Sequence, residues 1–93
     1  MAEKQRVHVI ISGRVQGVFF RLETQRAALN IGITGWVKNR PDGAVEAVFE
    51  GDSDRVEKML QWCWEGSPRS DVRDVAVENE PYTGGFSDFQ VTF

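Results

Sequence analysis

Val7-His8-Val9-Ile10-Ile11-Ser12-Gly13-Arg14-Val15-Gln16-Gly17-Val18-Phe19-Phe20-Arg21 is the stretch that decides how this chain folds. Val7, Val9 and Ile11 alternate with His8, Ile10 and Ser12, which predicts a strand with one strongly apolar face. From Phe20 the period changes. Phe20, Thr24, Ala27, Ala28 and Ile31 recur at helical spacing, and Gly32 is a natural stop. The residues from Gly13 to Phe19 therefore read as a loop joining a strand to a helix. Such a loop turns backbone N–H groups outward with the positive end of the helix dipole behind them, which makes a cradle for an anion. Gly13 and Gly17 let the backbone bend and approach a ligand closely. Arg21, in the first helical turn, adds a planar charge suited to phosphate oxygens.

Working outward, Trp36 and Val37 lie in a second strand that runs to about Asn39. Arg40-Pro41-Asp42-Gly43 has turn chemistry, with proline presetting φ and Asp-Gly supplying the positive-φ position. Ala44 to Glu50 alternates again and closes a hairpin. Gly51-Asp52-Ser53-Asp54 reads as a strand break offering helix caps, and Val56, Met59, Leu60 and Cys63 then form an apolar helical stripe ended by Gly66-Ser67-Pro68. Val75 and Val77 suggest a fourth strand, residues 80–85 a loop, and Phe89, Val91 and Phe93 a last strand; residues 1–5 are polar and expected to fray. The order β-α-β-β-α-β plus a C-terminal strand predicts an α+β fold, the ferredoxin-like α/β sandwich, with one antiparallel sheet and two helices on one face. In that topology the first strand is central. The loop after it opens at the same end of the sheet as the C-terminal end of the second strand, so Arg21 and Asn39 are expected to converge.

The 93 residues, 1–93, fit a single domain, with 41% hydrophobic and 27% charged residues as in an ordinary globule. A net charge of −3 argues against a nucleic-acid binder working through bulk positive charge. Arg14, Arg21, Lys38 and Arg40 are nonetheless expected near one end, a local positive site that suits a small anion better than a polyanion. One cysteine, Cys63, excludes an internal disulfide and fits a reducing compartment, and the single His8 excludes zinc sites built from several His and Cys ligands. No apolar run approaches membrane-spanning length, and Val7 to Ile11 is too short for a signal-peptide core. A cytoplasmic monomer without membrane or nucleic-acid partners is the expectation.

Gly35-Trp36-Val37-Lys38-Asn39-Arg40-Pro41-Asp42-Gly43-Ala44-Val45-Glu46 places a neutral amide just before a tight hairpin. Together with Gly13 to Arg21 it resembles the acylphosphatase family. The signature G-x-V-Q-G-V-x-F-R is met in full by Gly13 to Arg21, and G-[WY]-V-x-N-x-x-D-G-x-V-E by Gly35 to Glu46. Two long signatures at the family's interval are far more specific than a lone glycine-rich loop. The resemblance extends through Gly32, Gly66, Pro68 and the final alternating strand. It implies a hydrolase that cleaves the carboxyl–phosphate bond of small acyl phosphates, releasing a carboxylate and inorganic phosphate, with no metal or cofactor. It implies that Arg21 binds the phosphate together with the backbone of Val15, Gln16, Gly17, Val18 and Phe19, and that Asn39 positions the attacking water. Ser70, where alanine is frequent, and Leu22-Glu23, where aromatic or small residues often occur, depart from the pattern. Glu23 would oppose an anion if it reached the cradle, but two positions from Arg21 it does not share that helix face.

Other features compete for attention. Cys63-Trp64-Glu65-Gly66-Ser67-Pro68-Arg69-Ser70 follows the C-x5-R-S spacing of the protein tyrosine phosphatase loop. A nucleophilic thiolate wants a helix N-terminus, whereas Cys63 falls on an apolar stripe near a helix end, Pro68 removes an N–H and Glu65 adds a repelling charge. Cys63 is therefore read as a core residue. His8 lies in strand alternation and reads as structural. Trp36, Trp64 and Trp62 read as packing residues, Trp62 off the helical stripe and partly exposed. A non-catalytic small-anion-binding or regulatory domain of the same fold stays open as an alternative, since such a cradle binds phosphate without hydrolysis.

Overall fold

The alternating run at the N-terminus becomes the longest strand of the sheet. In a computed structural model, which describes residues 3–92, β1 spans Lys4–Arg14 and is followed by helix α1, Phe20–Ile31. Strands β2, Thr34–Asn39, and β3, Val45–Asp52, form the hairpin, helix α2 covers Ser53–Glu65, and β4, Asp71–Glu80, and β5, Phe89–Val91, complete the chain. The sheet order is β4-β1-β3-β2-β5. β1 pairs antiparallel with β3 and β4, and β2 antiparallel with β3, so β1 and β2 run in the same direction. The four strands of the β-α-β-β-α-β core are thus antiparallel as expected. The C-terminal strand joins differently: β5 pairs parallel with β2, through Gly35 with Phe89 and Val37 with Val91, which makes the five-stranded sheet mixed. β4 and β5 occupy opposite edges, and the segment between them crosses from one edge to the other.

Both helices cover one face. Val7, Val9 and Ile11 are fully buried there, with Val37, Val45, Ala47 and Phe49 from the hairpin. α1 contributes Phe20, Thr24 and Ala28, and α2 contributes Val56, Met59 and Cys63. Each such large apolar side chain contributes ~1.5–3 kcal/mol on burial. Thr24 satisfies its hydroxyl by donating to the Phe20 carbonyl at 2.7 Å. Trp62 is half-buried against the Phe20 ring, 5.5 Å between centroids, so its place off the stripe serves packing between the helices. Phe49 and Phe89 stack at 5.9 Å and tie the short β5 to the core.

Several boundaries move relative to the sequence pattern. Lys4 and Gln5 do not fray: they pair with Asp52 and Gly51 of β3, and Lys4 also forms an ion pair with Asp52. Gly13 and Arg14 belong to β1, not to the loop, because β4 continues the ladder past an irregularity at Ser12/Gly13. Gly51 and Asp52 continue β3 because Gln5 and Lys4 of β1 pair with them. Asp52 sits at the N-cap of α2 but makes no capping bond, its carboxylate being engaged by Lys4 and Arg55. Phe93, expected in the last strand, lies outside the described residues. No helix among the described residues is long and apolar enough to cross a membrane.

Candidate active site

Because β1 and β2 are parallel in space, the loop after β1 and the end of β2 meet at one end of the sheet. There they bound a pocket of about 520 Å³. Its polar lining comes from Arg21, Gln25 and Asn39, and its apolar lining from Val15, Phe19, Phe20, Leu22 and Val91, with Gly17 between. The expected convergence of Arg21 and Asn39 is therefore met.

The loop is held from below. Val15 and Val18 are buried, leaving Gly17 and Phe19 turned to the solvent side. The Ser67 hydroxyl, itself buried, donates to the Val18 carbonyl at 3.0 Å. Gly17 has φ 73 and a Cβ there would touch nothing within 4 Å, so glycine serves conformation, not space. Phe19 also adopts the left-handed region, φ 58 and ψ 25, as the N-cap of α1. A non-glycine residue held there is strained by ~1–2 kcal/mol, and Phe19 is 72% exposed, so its own burial does not offset that cost. Its carbonyl accepts from Glu23 N–H at 3.0 Å and starts the helix. Among the described residues, none accepts a hydrogen bond from the backbone N–H of Gln16, Gly17, Val18 or Phe19.

Arg21 donates from Nη1 to the Thr92 carbonyl at 3.0 Å, which steadies the guanidinium beside the pocket. Asn39, the last residue of β2, shares the helix-facing side of its strand with Val37. Its Oδ1 is buried and has no hydrogen-bond partner among the described residues. A buried acceptor left so costs about 1–3 kcal/mol, the kind of cost found where a site is shaped for something other than its own stability.

The acylphosphatase family model matches residues 7–91 of the chain. The chain belongs to the acylphosphatase family. A protein named acylphosphatase from Pelotomaculum thermopropionicum is 54% identical over 90 residues, covering 97% of this chain and 98% of that protein. One of the same name from Syntrophobacter fumaroxidans is 57% identical over 91 residues, 98% and 94% of the two chains. The crystal structure of acylphosphatase from Bacillus subtilis superposes with a TM-score of 0.92 at 36% identity, covering 96% and 99%. Family and relatives support acylphosphatase function in this chain.

Within the acylphosphatase signatures, the residues do not all face the pocket. Of the five loop residues, Val15, Gly17 and Phe19 line it; Val18 is buried beneath, and the Gln16 side chain turns to the hairpin, donating to the carbonyls of Arg40 and Ala44. Gly13 contributes no cradle. It serves the close approach of β4, for a Cβ there would lie 2.2 Å from the Asp71 carbonyl oxygen. The expected gathering of cations is also narrower than the sequence suggested, since of Arg14, Arg21, Lys38 and Arg40 only Arg21 lines the pocket. Lys38 precedes Asn39 on the strand, so its side chain points to the opposite face, where it lies 3.8 Å from Glu46. Arg40 pairs with Asp42 at 3.1 Å and with Glu46 at 3.8 Å, while Arg14 is exposed at the end of β1. His8, 2.6 Å from Glu46, belongs to this same group, and its hydrogen bond outweighs burial in holding the Glu46 carboxyl below its ordinary range.

Glu23 turns to Arg26 at 3.2 Å and is not part of the pocket wall, so no carboxylate from α1 faces the pocket. Cys63 is fully buried and burial pushes its thiol well up, the opposite of a phosphatase nucleophile. Among the described residues, no three His, Cys, Asp or Glu side chains cluster as a metal site would require. The side-chain tie made by Gln16, the Ser67 support and the walls formed by Leu22, Gln25 and Val91 were not read from sequence. Their partners lie far along the chain, and no spacing rule announces them.

Proposed function

We propose that this pocket is where the chain hydrolyses small acyl phosphates, as a cytoplasmic monomer of one domain that needs no metal, membrane or nucleic acid. The N–H groups of the Val15–Phe19 loop and the Arg21 guanidinium hold the phosphoryl oxygens. The Asn39 side-chain amide binds a water and fixes its line of approach to phosphorus. The water oxygen bonds to phosphorus as the bond from phosphorus to the acyl oxygen breaks, and the carboxylate departs with the bonding pair. Its conjugate acid has a pKa of roughly 4, so it leaves without protonation. The proton lost by the water goes to a phosphate oxygen, giving inorganic phosphate. An amide has no basic role in this scheme, and none is required. Charge spread over the equatorial oxygens is met by donors already in place, which is how phosphoryl transfer is usually accelerated.

The observation that supports this best is that Asn39 lines one pocket with Arg21 and with Val15, Gly17 and Phe19 of the loop. A domain that only binds phosphate has no need to orient a water, and the Asn39 amide offers both a donor and an acceptor for one. Hydrolysis of acetyl and benzoyl phosphate, measured beside a phosphate monoester with and without chelator, is the first test. The acyl phosphates should be cleaved, the ester left intact, and chelator should change nothing. Asn39→Ala should lower kcat by roughly 10²–10³-fold. Arg21→Gln should chiefly weaken binding of inorganic phosphate, by ~1.5–3 kcal/mol for each charge-assisted bond lost. Normal turnover in Asn39→Ala would remove the mechanism.

A further inference from the structure

Gln16 stands inside the loop signature, yet its side chain is absent from the pocket wall. Its Nε2 donates two hydrogen bonds, each 2.8 Å, to the carbonyls of Arg40 and Ala44. Both partners are acceptors only, so the orientation of the amide is fixed by chemistry. The two carbonyls bracket the hairpin turn. Each already has a partner inside it: Arg40 N–H donates to Ala44 O at 2.8 Å, and Gly43 N–H to Arg40 O at 3.2 Å. The turn is therefore satisfied without Gln16. What the amide adds is a bridge from the loop to the hairpin, landing on the residue next to Asn39. Val15 and Val18 pack into the core, and the Ser67 hydroxyl ties the Val18 carbonyl to the segment after α2. Among the described residues, the two Gln16 bonds are the only hydrogen bonds between residues 15–19 and the hairpin turn.

We propose that Gln16 is a positioning residue whose amide sets the spacing between the phosphate-holding loop and Asn39, so that the water held by Asn39 stands in line with phosphorus. This rests on the function proposed above. Phosphate is gripped by the loop and Arg21, neither of which needs the bridge, so loss of the amide should act on turnover more than on binding. Misplacement of reacting groups by about 1 Å costs up to roughly 100-fold.

The test is a double-mutant cycle in the full chain with Gln16→Met, which keeps length and removes both donors, and Asn39→Ala. For each variant kcat, KM, inhibition by inorganic phosphate and melting temperature are measured. Gln16→Met alone should lower kcat roughly 10–100-fold with phosphate inhibition changed by less than about threefold. In the Asn39→Ala background the same substitution should lower kcat by less than about threefold, because the amide it aligns is gone. A full-size effect in that background, an unchanged kcat, or a larger effect on phosphate binding than on kcat would overturn the role of Gln16. If Gln16→Met does not fold, Gln16→Ala enters the same cycle, and unfolding of both would assign the amide to stability instead. Normal turnover in Asn39→Ala would point to failure of the proposed mechanism itself, whereas a normal Asn39→Ala loss with a multiplying cycle would discard Gln16 alone.

Discussion

Cys63 separates two phosphatase chemistries within one side chain. It is fully buried on α2 with its thiol pushed up by desolvation, so it is neither ionised nor accessible. Cys63→Ser should keep hydrolysis while losing about 1–3 kcal/mol of stability, since the hydroxyl enters an apolar site. Chemical denaturation paired with the acyl phosphate assay checks both, and a folded Cys63→Ser protein without activity would restore the cysteine as nucleophile. Arg21 and Asn39 were legible because each sits at a fixed place in a contiguous signature, and the topology then brings those places together. Gln16 and Ser67 were not, as the partners of Gln16 are 24 and 28 residues away and that of Ser67 is 49, in contacts without periodicity. Lys38 misled for a simpler reason. Adjacent residues on a strand face opposite ways, so a cation beside Asn39 is necessarily turned from Asn39's pocket.

At the level of elements, the strands that face the core on one side were readable along their length, whereas of the edge strand β4 the presence was readable from Val75 and Val77 and the extent was not. Val7, Val9 and Ile11 alternate cleanly, whereas in β4 only Val75 is buried and Val77 is 46% exposed. The ladder to β1, not hydrophobic alternation, extends β4 to Asp71–Glu80. β1 and β4 come so close at Gly13 that a Cβ would meet backbone at 2.2 Å from Asp71 O and 2.9 Å from Arg73 N, at φ 125. Neither atom belongs to a flexible side chain, so one of the strands must shift. Gly13→Ala should therefore combine overpacking of ~1–3 kcal/mol with left-handed strain of ~1–2 kcal/mol. Gly17→Ala carries the strain alone, since its surroundings are open. Thermal melts of the two variants should rank Gly13→Ala clearly below Gly17→Ala. Equal losses would mean that the close approach of β1 and β4 is not what glycine 13 provides.

Across the whole molecule, the segment from β4 to β5 must span the sheet from one edge to the other, and a buried carboxylate on β3 helps to hold it. Glu50, 1% exposed, accepts from Thr83 N–H at 3.0 Å, the Thr83 hydroxyl at 3.0 Å and Gly84 N–H at 3.2 Å. Arg6 approaches the same carboxylate at 3.4 Å, pairs with Glu80 at 2.9 Å and lies 5.3 Å over the Phe86 ring. Burial works to raise the Glu50 pKa, but the hydrogen bonds from Thr83 and Arg6 outweigh it and leave it below the ordinary 4.5. The folded state therefore prefers the ionised form more strongly than the unfolded chain does. That preference stabilises fully above the unfolded value and disappears as pH falls through the lower folded value. Glu46, Asp42 and Asp52 are shifted in the same direction, so acid should weaken the fold at several points at once. Glu50→Gln should destabilise by about 1.5–3 kcal/mol at neutral pH, the scale of hydrogen bonds to a charged group. It should also lose less additional stability than the parent on acidification below about pH 4.5, because its amide does not titrate. Melting temperatures across pH 3–7 read both effects, and curves for parent and variant that stay parallel through the acid range would show that the strap is held by something other than this charge.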